Sequence, residues 1–268
     1  MRTAARRAPL PSVLLSMLLL TGCTAADGGE ASPATSAGSS SSTAVTGTVT
    51  VFAAASLTDA FNEIGERFEE RHPDVTVMFS FGASSGLAQQ IVAGAPADVF
   101  AAASPATMQT VIDAGDASAP EVFVRNRLAI AVPPDNPGGV TGLADFVQEE
   151  LTLALCAAEV PCGAAAEKVF LAAGLEPAPD TLEQDVKAAL SKVVLGEVDA
   201  ALVYRTDVLA AGDGVQGIEF PESEQAINDY PLAALAEAPN PVAATAFVAH
   251  VLSTEGQHVL ADAGFESP

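Results

Sequence analysis

The chain has 268 residues, with 34 Asp and Glu against 11 Lys and Arg and a net charge of −23 at pH 7. Such an acidic balance argues against a nucleic-acid partner and against electrostatic binding to anionic lipid, because both need a basic surface. After a small-residue tract near the N-terminus, about 220 residues remain, which is enough for one large domain or two small ones.

Residues 1–22 have the pattern of an export signal. Three arginines precede an apolar run over 13–20 that is too short to cross a bilayer as a helix. The run ends in LTGC, which resembles a lipobox, so we expect cleavage before Cys23 and lipidation of that cysteine. An ordinary cleaved signal with an incidental cysteine is the alternative. Residues 23–47 are rich in Gly, Ser, Thr and Ala, which predicts a flexible tether.

The mature chain would be more acidic than the precursor. Three of the eleven Lys and Arg lie in the signal and all 34 Asp and Glu follow Cys23, so eight cations face 34 anions and the net charge becomes −26. An anion site in this chain therefore has to be built locally, against an overall negative field. No later segment is long and apolar enough to predict a membrane span.

Strand and helix patterns alternate from Thr48 onward. In chain order they are strand TVTVFAAAS, helix LTDAFNEIGERFEER, strand VTVMFSF, helix SGLAQQIVAG, strand ADVFAAAS, helix PATMQTVIDAG, strands RLAIAVP and LTLALC, helices GAAAEKVFLAAG and DVKAALSKVVLG, strand DAALVY, and two C-terminal helices hinged near Ser253–Gly256. The first helix has an apolar stripe of Leu57, Phe61, Ile64 and Phe68. This alternation predicts an α/β fold with mainly parallel sheets flanked by helices.

Cys156 and Cys162 are the cysteines that remain if Cys23 carries lipid. In an exported protein, two cysteines six residues apart predict a disulfide. Closing so short a loop stabilises by about 2–3 kcal/mol in the chain-entropy model. A metal pair is the alternative, but the three histidines lie far off in sequence and match no zinc spacing.

Several predicted strands end where a helix begins, which is where α/β proteins bind ligands. We expect Ser56, Ser84, Ser85 and Asp185 to cap their helices and Pro161 to lie in the first turn of another. Helix starts present unpaired N–H groups and the positive end of the helix dipole, so several that converge can bind an anion without Lys or Arg. The alternative is that these residues only cap helices, for about 1 kcal/mol each.

The pentapeptide GASSG at 82–86 fits the G-x-S-x-G pattern of a hydrolase nucleophile elbow, which would make Ser84 catalytic. His250 or His258 follows it in the chain order of a catalytic triad. Against this, the sequence has no HGGG-like oxyanion loop, and Ser85 adds a second hydroxyl that an elbow does not need. We therefore expect no enzymatic activity and keep the serine hydrolase as an alternative.

Four stretches resemble the molybdate-binding proteins of ABC importers: VTVFAAASLTDAFNEI, FSFGASSGLAQQIVAGAPADVFAAAS, DVKAALSKVVLGEVDAALVYRTD and DYPLA. The resemblance runs from Val49 to Phe265. It implies a type II periplasmic-binding-protein fold in which the ligand lies in a cleft between two lobes. Lobe 1 would comprise residues 48–127 and 230–268, and lobe 2 residues 128–229.

The resemblance also implies a tetrahedral oxyanion held by uncharged donors. These would be the hydroxyl and N–H groups of Ser56 and Ser84, the N–H groups of Cys162 and Val186, and the hydroxyl of Tyr204. Relatives often have alanine at the position of Cys162, but only a backbone N–H is needed there. Molybdate and tungstate are nearly equal in size; sulfate and phosphate are alternatives, and protonated phosphate would need an acceptor.

Further expectations follow from the resemblance. The partners would be the permease and ATPase of a molybdate importer, and the chain would be a monomer on the outer face of the cytoplasmic membrane, held only by lipid on Cys23. It would need no cofactor, since molybdenum enters only as the oxyanion. A structural or adhesive lipoprotein without a ligand is the remaining alternative, but it leaves the donors at four helix starts unexplained.

Overall fold

The computed structural model describes residues 44–268. The predicted signal, Cys23 and most of the predicted tether lie outside the described residues. In chain order the elements are β1 (Gly47–Ala54), α1 (Thr58–Arg71), β2 (Val75–Gly82), α2 (Ser84–Val92), β3 (Val99–Ala101), α3 (Pro105–Asp113), β4 (Glu121–Asn126), β5 (Leu128–Val132), β6 (Leu153–Cys156), α4 (Pro161–Ala173), β7 (Thr181–Glu183), α5 (Val186–Val194), β8 (Ala200–Tyr204), α6 (Arg205–Ala211), β9 (Gln216–Ile218), β10 (Asn228–Ala234), α7 (Pro241–Leu252) and α8 (Thr254–Asp262).

The strands form two five-stranded sheets, in the orders β2-β1-β3-β10-β4 and β7-β6-β8-β5-β9. In the first sheet β1 pairs in parallel with β2 and β3, whereas β10 runs antiparallel to β3 and β4. In the second, β6 pairs in parallel with β7 and β8, whereas β5 runs antiparallel to β8 and β9. The predicted two-lobed α/β fold is confirmed, and each sheet is mixed because one strand enters it in the opposite direction.

The chain passes between the two sheets twice. Strands of the first sheet come from residues 47–126 and 228–234, and those of the second from 128–218. The passages are Arg127, between β4 and β5, and the segment 219–227, between β9 and β10. Both lie near the lobe boundaries that the resemblance implies, and the division of the chain into these lobes stays a prediction.

The apolar stripe of α1 holds that helix on the first sheet. Phe61 and Phe68 are fully buried and contact the ring of Phe247 on α7, with centroids 6.2 and 5.3 Å apart. Burying a side chain of this size stabilises by about 1.5–3 kcal/mol, so the stripe holds α1 along its length against the core of the first sheet. In the second sheet, the central strands β5 and β8 are buried along their whole length, as their continuous apolar sequences predict.

Several predicted helix ends are confirmed. Asp185 caps α5, with its carboxylate accepting the N–H of Ala188 at 2.9 Å, and Ser253 caps α8 at the predicted hinge. Gly174 ends α4 in a left-handed conformation, with φ at 66°. Within residues 44–268, we find no helix with the length and apolar character that a membrane span requires.

Candidate functional site

One cavity of about 220 Å³, counted with its opening, brings together all five residues of the predicted anion site. They are Ser56, Ser84, Cys162, Val186 and Tyr204. Ser56 and Ser84 follow strands of the first sheet, and the other three residues begin helices or end a strand beside the second. The cavity therefore lies where strands give way to helices on both sheets.

Helix starts surround this cavity. α2 begins at Ser84, α4 at Pro161, α5 at Val186 and α6 directly after Tyr204, and a single 3-10 turn over Ala55–Leu57 precedes α1. The N–H groups of a first turn have no partner inside their helix, and the helix dipole places partial positive charge there. None of the described residues that line the cavity is Lys, Arg or His. Every hydrogen-bond donor that this lining offers is therefore uncharged.

The prediction that Ser56 and Ser84 cap helices is wrong. Ser56 lies inside the 3-10 turn, and its Oγ is 2.9 Å from the hydroxyl of Tyr230. Ser84 is the first residue of α2, with Oγ accepting the N–H of Ala103 at 3.0 Å. Ser85 is the second residue of that helix and is not its cap either. Both serine hydroxyls therefore contact a residue distant in sequence, and not the first turn of their own helix. Both serines line the cavity.

Three buried polar residues behind the cavity were missed by sequence reasoning: Asn126, Asn228 and Tyr230. Asn228 Nδ2 donates to the hydroxyl of Tyr204 at 2.7 Å. Asn126 Nδ2 lies 3.5 Å from the hydroxyl of Tyr230. Burial raises the pKa of both tyrosines above the usual value, so both hydroxyls keep their protons at neutral pH and can donate. Only Tyr230 had a sequence signal, within the DYPLA stretch.

Asp185 adds a carboxylate to the cavity lining. Its Oδ1 accepts the N–H of Ala188 in the first turn of α5. A carboxylate disfavours a nearby anion unless that anion carries a proton to share with it. Asp185 would therefore disfavour an unprotonated anion in this cavity more than a protonated one.

Comparison with known proteins identifies the family. Residues 49–266 match the family described as "Bacterial extracellular solute-binding protein". The chain belongs to this family. It is also 38% identical over 260 residues to the molybdate-binding protein ModA of Mycobacterium tuberculosis, covering 97% of this chain and 98% of that protein, which confirms the resemblance noted from the sequence.

Solved structures share the fold of this solute-binding protein. The periplasmic molybdate-binding protein of Azotobacter vinelandii aligns with a TM-score of 0.70 and 17% identity, over 82% of this chain and 99% of that one. The sulfate-binding protein SubI of M. tuberculosis aligns with a TM-score of 0.72 and 19% identity, over 82% and 86%. Since proteins named for two different oxyanions match equally well, the fold alone does not select the ligand.

The hydrolase alternative for Ser84 does not hold, because the family binds solutes and is not one of enzymes. The geometry agrees, since a serine nucleophile needs a base within hydrogen-bond reach, whereas the hydrogen bond of Ser84 Oγ is with the N–H of Ala103. His250 is buried on α7 instead, with its ring 5.4 Å from that of Phe68, and burial lowers its pKa.

Cys156 and Cys162 form the predicted disulfide, with Cα atoms 5.7 Å apart. The bond joins the last residue of β6 to the second residue of α4, beside the cavity. The metal-pair alternative finds no support in the described part of the solute-binding protein, where no three His, Cys, Asp or Glu side chains are grouped to hold a metal ion.

A buried carboxylate lies beside the site and faces a bridging lysine. Asp207 is 1% exposed, and its Oδ2 accepts the N–H of Tyr204 at 3.1 Å. Lys187 Nζ is 3.7 Å from Asp207 Oδ1 and 2.7 Å from Asp59 Oδ2. Lys187 lies on α5, which packs on β6 and β8, and Asp59 lies on α1, which packs on β2, so this ion pair connects helices that pack against different sheets.

Asp207 is expected to make the protein less stable as pH rises. Burial raises its pKa from an ordinary value near 3.8 to about 6, although Lys187 opposes the shift. The folded chain therefore holds this proton more tightly than the unfolded chain. The stabilisation that protonated Asp207 gives the folded state is on the order of 3 kcal/mol. This stabilisation is fully present below about pH 4 and is lost as pH rises through 6.

Denaturation of the wild type and of Asp207→Asn at pH 4 and pH 7 separates this group from the other acids. The variant should gain stability relative to the wild type between the two pH values. A difference that stays constant with pH would contradict a raised pKa.

Proposed function

We propose that this protein captures molybdate outside the cytoplasm and delivers it to an ABC importer. The observation that carries the proposal is the convergence of three hydroxyls and several helix-start N–H groups on one cavity without a cationic side chain. The 38% identity to a molybdate-binding protein over nearly the whole of both chains supports the same ligand.

The donor set suits a fully deprotonated tetrahedral dianion. Such an ion has no proton to give, so every one of its oxygens accepts, and hydroxyl and amide groups can all donate to it. A hydrogen bond to a charged acceptor contributes about 1.5–3 kcal/mol. Seven donors from Ser56, Ser84, Cys162, Val186 and Tyr204 together offset the loss of the ion's hydration. Because none of them is charged, release leaves no buried cation, as a delivery protein requires.

The proposal extends to features that the sequence suggests. Tungstate should bind as well, because it nearly matches molybdate in size. Cys23 would carry lipid and residues 23–47 would tether the two lobes, as a monomer, to the outer face of the cytoplasmic membrane. The permease and ATPase of the importer are the proposed partners. Molybdate is cargo in this proposal, and no cofactor is required.

Sulfate and phosphate are the rival ligands, for different reasons. Sulfate has the same shape and charge as molybdate but is smaller, so only the size of the cavity can exclude it. Phosphate carries a proton near neutral pH and needs an acceptor, for which Asp185 is the candidate in the lining. A panel of oxyanions therefore separates the three ligands.

Molybdate is expected to raise the melting temperature of the protein strongly. A ligand that binds only the folded state stabilises it by about 4 kcal/mol at a thousand times its Kd. Thermal unfolding and calorimetry with molybdate, tungstate, sulfate and phosphate at equal concentrations make the test. Molybdate and tungstate should shift the transition, and sulfate and phosphate should do little.

Each other outcome of this panel is informative. Equal shifts with sulfate and molybdate would refute selection by cavity size. A shift with phosphate that Asp185→Asn abolishes would instead identify a phosphate-binding protein. No shift with any of the four would overturn the proposal.

A further inference from the structure

We propose that Asn228 is a positioning residue for anion binding, which turns the hydroxyl of Tyr204 into a donor directed at the cavity. This inference rests on the proposed function, because it concerns how the same cavity holds its ligand. Asn228 does not line the cavity. It is 5% exposed and acts only through the groups it contacts.

The orientation of the Asn228 amide is fixed by chemistry. One of its terminal atoms lies 2.9 Å from the carbonyl oxygen of Ala103 and 2.7 Å from the hydroxyl of Tyr204. A carbonyl oxygen can only accept, so this atom has to be the amide nitrogen, Nδ2. Its two protons are then both assigned, one to Ala103 and one to Tyr204.

The direction of the Tyr204 proton follows. A tyrosine hydroxyl has a single proton and accepts through its lone pairs. Because Asn228 occupies the Tyr204 hydroxyl as an acceptor and an amide NH2 group cannot reverse its role, the proton of Tyr204 is left for another acceptor. The neighbouring Tyr230 hydroxyl can take it in the empty site, and a bound oxyanion competes for it. Tyr204 lines the cavity, so an oxyanion there is available to receive that proton.

The same contacts reach Ser84. The peptide of Ala103 accepts from Asn228 through its carbonyl and donates through its N–H to Ser84 Oγ at 3.0 Å. The Ser84 hydroxyl is thereby an acceptor for a backbone N–H, which also cannot reverse, and its proton is left for another acceptor as well. The Asn228 side chain therefore orients two protein hydroxyls that face the cavity, that of Ser84 beside the first sheet and that of Tyr204 beside the second.

Asn228 also joins the parts that form the cavity. It begins β10 in the first sheet, whereas Tyr204 ends β8 in the second. Its hydrogen bond to Tyr204 thus runs between the sheets, next to the 219–227 passage. We infer that it aligns the Tyr204 hydroxyl before the ligand arrives, which lowers the ordering cost of binding.

The test is a double-mutant cycle on molybdate affinity, measured by calorimetry on the protein lacking residues 1–43 or on the full chain. Asn228→Ala is expected to weaken binding by about tenfold in the wild type, the size of one lost hydrogen bond. In a Tyr204→Phe background it should change affinity by less than about twofold, because the group it positions is gone. Equal factors in both backgrounds would assign Asn228 a merely structural role and overturn the inference.

An isosteric variant sharpens the result. Asn228→Asp keeps the shape but presents a carboxylate that can only accept, so Tyr204 would donate to it and not to the ligand. We expect it to bind molybdate at least about tenfold more weakly than Asn228→Ala. The added negative charge repels the anion in any background, so Asn228→Asp is also measured with Tyr204→Phe, where no hydroxyl is left to capture and the loss of affinity should be smaller. An equal loss in both backgrounds would assign the effect to charge alone and contradict the inference.

Asn126 provides the matched control. It is buried and directly opposite Asn228 in the β4–β10 pair, and its amide contacts Thr206 at 2.8 Å. Asn126→Ala should change molybdate affinity by the same factor in the wild type and in the Tyr204→Phe background. Failure of both Asn228 variants to fold would mean that Asn228 is needed for the fold, and it would contradict the inference. A wild-type protein that binds no molybdate would instead refute the proposed function.

Discussion

Replacing Ser84 by alanine and Tyr204 by phenylalanine in one chain is expected to weaken molybdate binding by about 3–6 kcal/mol, or roughly 10²–10⁴-fold. Each substitution removes one hydroxyl that can donate to a charged acceptor, and each such bond contributes about 1.5–3 kcal/mol. The fold should survive, because neither substitution adds an atom and Asn228 keeps its bond to the Ala103 carbonyl. Calorimetry on the two single variants and the double variant measures the effect.

Ser85→Ala is the control for this prediction. Ser85 adjoins Ser84 on the first turn of α2 but does not line the cavity. Loss of the Ser85 hydroxyl should leave affinity within about twofold of the wild type, since this half-buried side chain does not line the cavity. If Ser85→Ala weakens binding as much as Ser84→Ala, the assignment of the ligand hydroxyl is wrong.

The cavity could be located from the sequence because local patterns specify strand ends and helix starts. Helix starts follow from apolar spacing and from residues such as Pro161 and Asp185, and a parallel arrangement brings them to one side of a sheet. The five donor residues then followed from the resemblance. What each serine hydroxyl contacts did not follow, because Tyr230 and Ala103 come close to Ser56 and Ser84 only in the folded chain.

The second layer of the site was beyond sequence reasoning for a similar reason. Asn228 and Tyr230 lie on β10, which contains Pro231 and changes register between Tyr230 and Pro231. Proline argues against a strand interior, so the pattern of this segment does not predict that β10 joins two others. Its antiparallel entry also explains why the first sheet is mixed, although the βαβ alternation predicted mainly parallel pairing.

Replacing Gly163 by alanine is expected to lower the free energy of unfolding by about 3 kcal/mol or more, at the upper end for single substitutions. Gly163 is the third residue of α4, and a Cβ there would lie 1.9 Å from the carbonyl oxygen of Ala157. That oxygen belongs to the backbone of the loop closed by the Cys156–Cys162 disulfide, so neither side can move away cheaply. The start of α4 would shift, and with it the N–H of Cys162.

Gly86→Ala is the matched control for Gly163→Ala. Gly86 is likewise the third residue of a helix that begins at the cavity, α2, but a Cβ there would meet no atom within 4 Å. Alanine is the better helix former, so this variant should match or exceed the wild type by up to about 1 kcal/mol. Thermal unfolding without ligand compares the two variants, and the melting temperature is expected to fall by about 2–4 °C for each kcal/mol of stability lost. Equal melting temperatures would mean that α4 does not approach Ala157 so closely, and the placement of the Cys162 N–H at the cavity would fall with it.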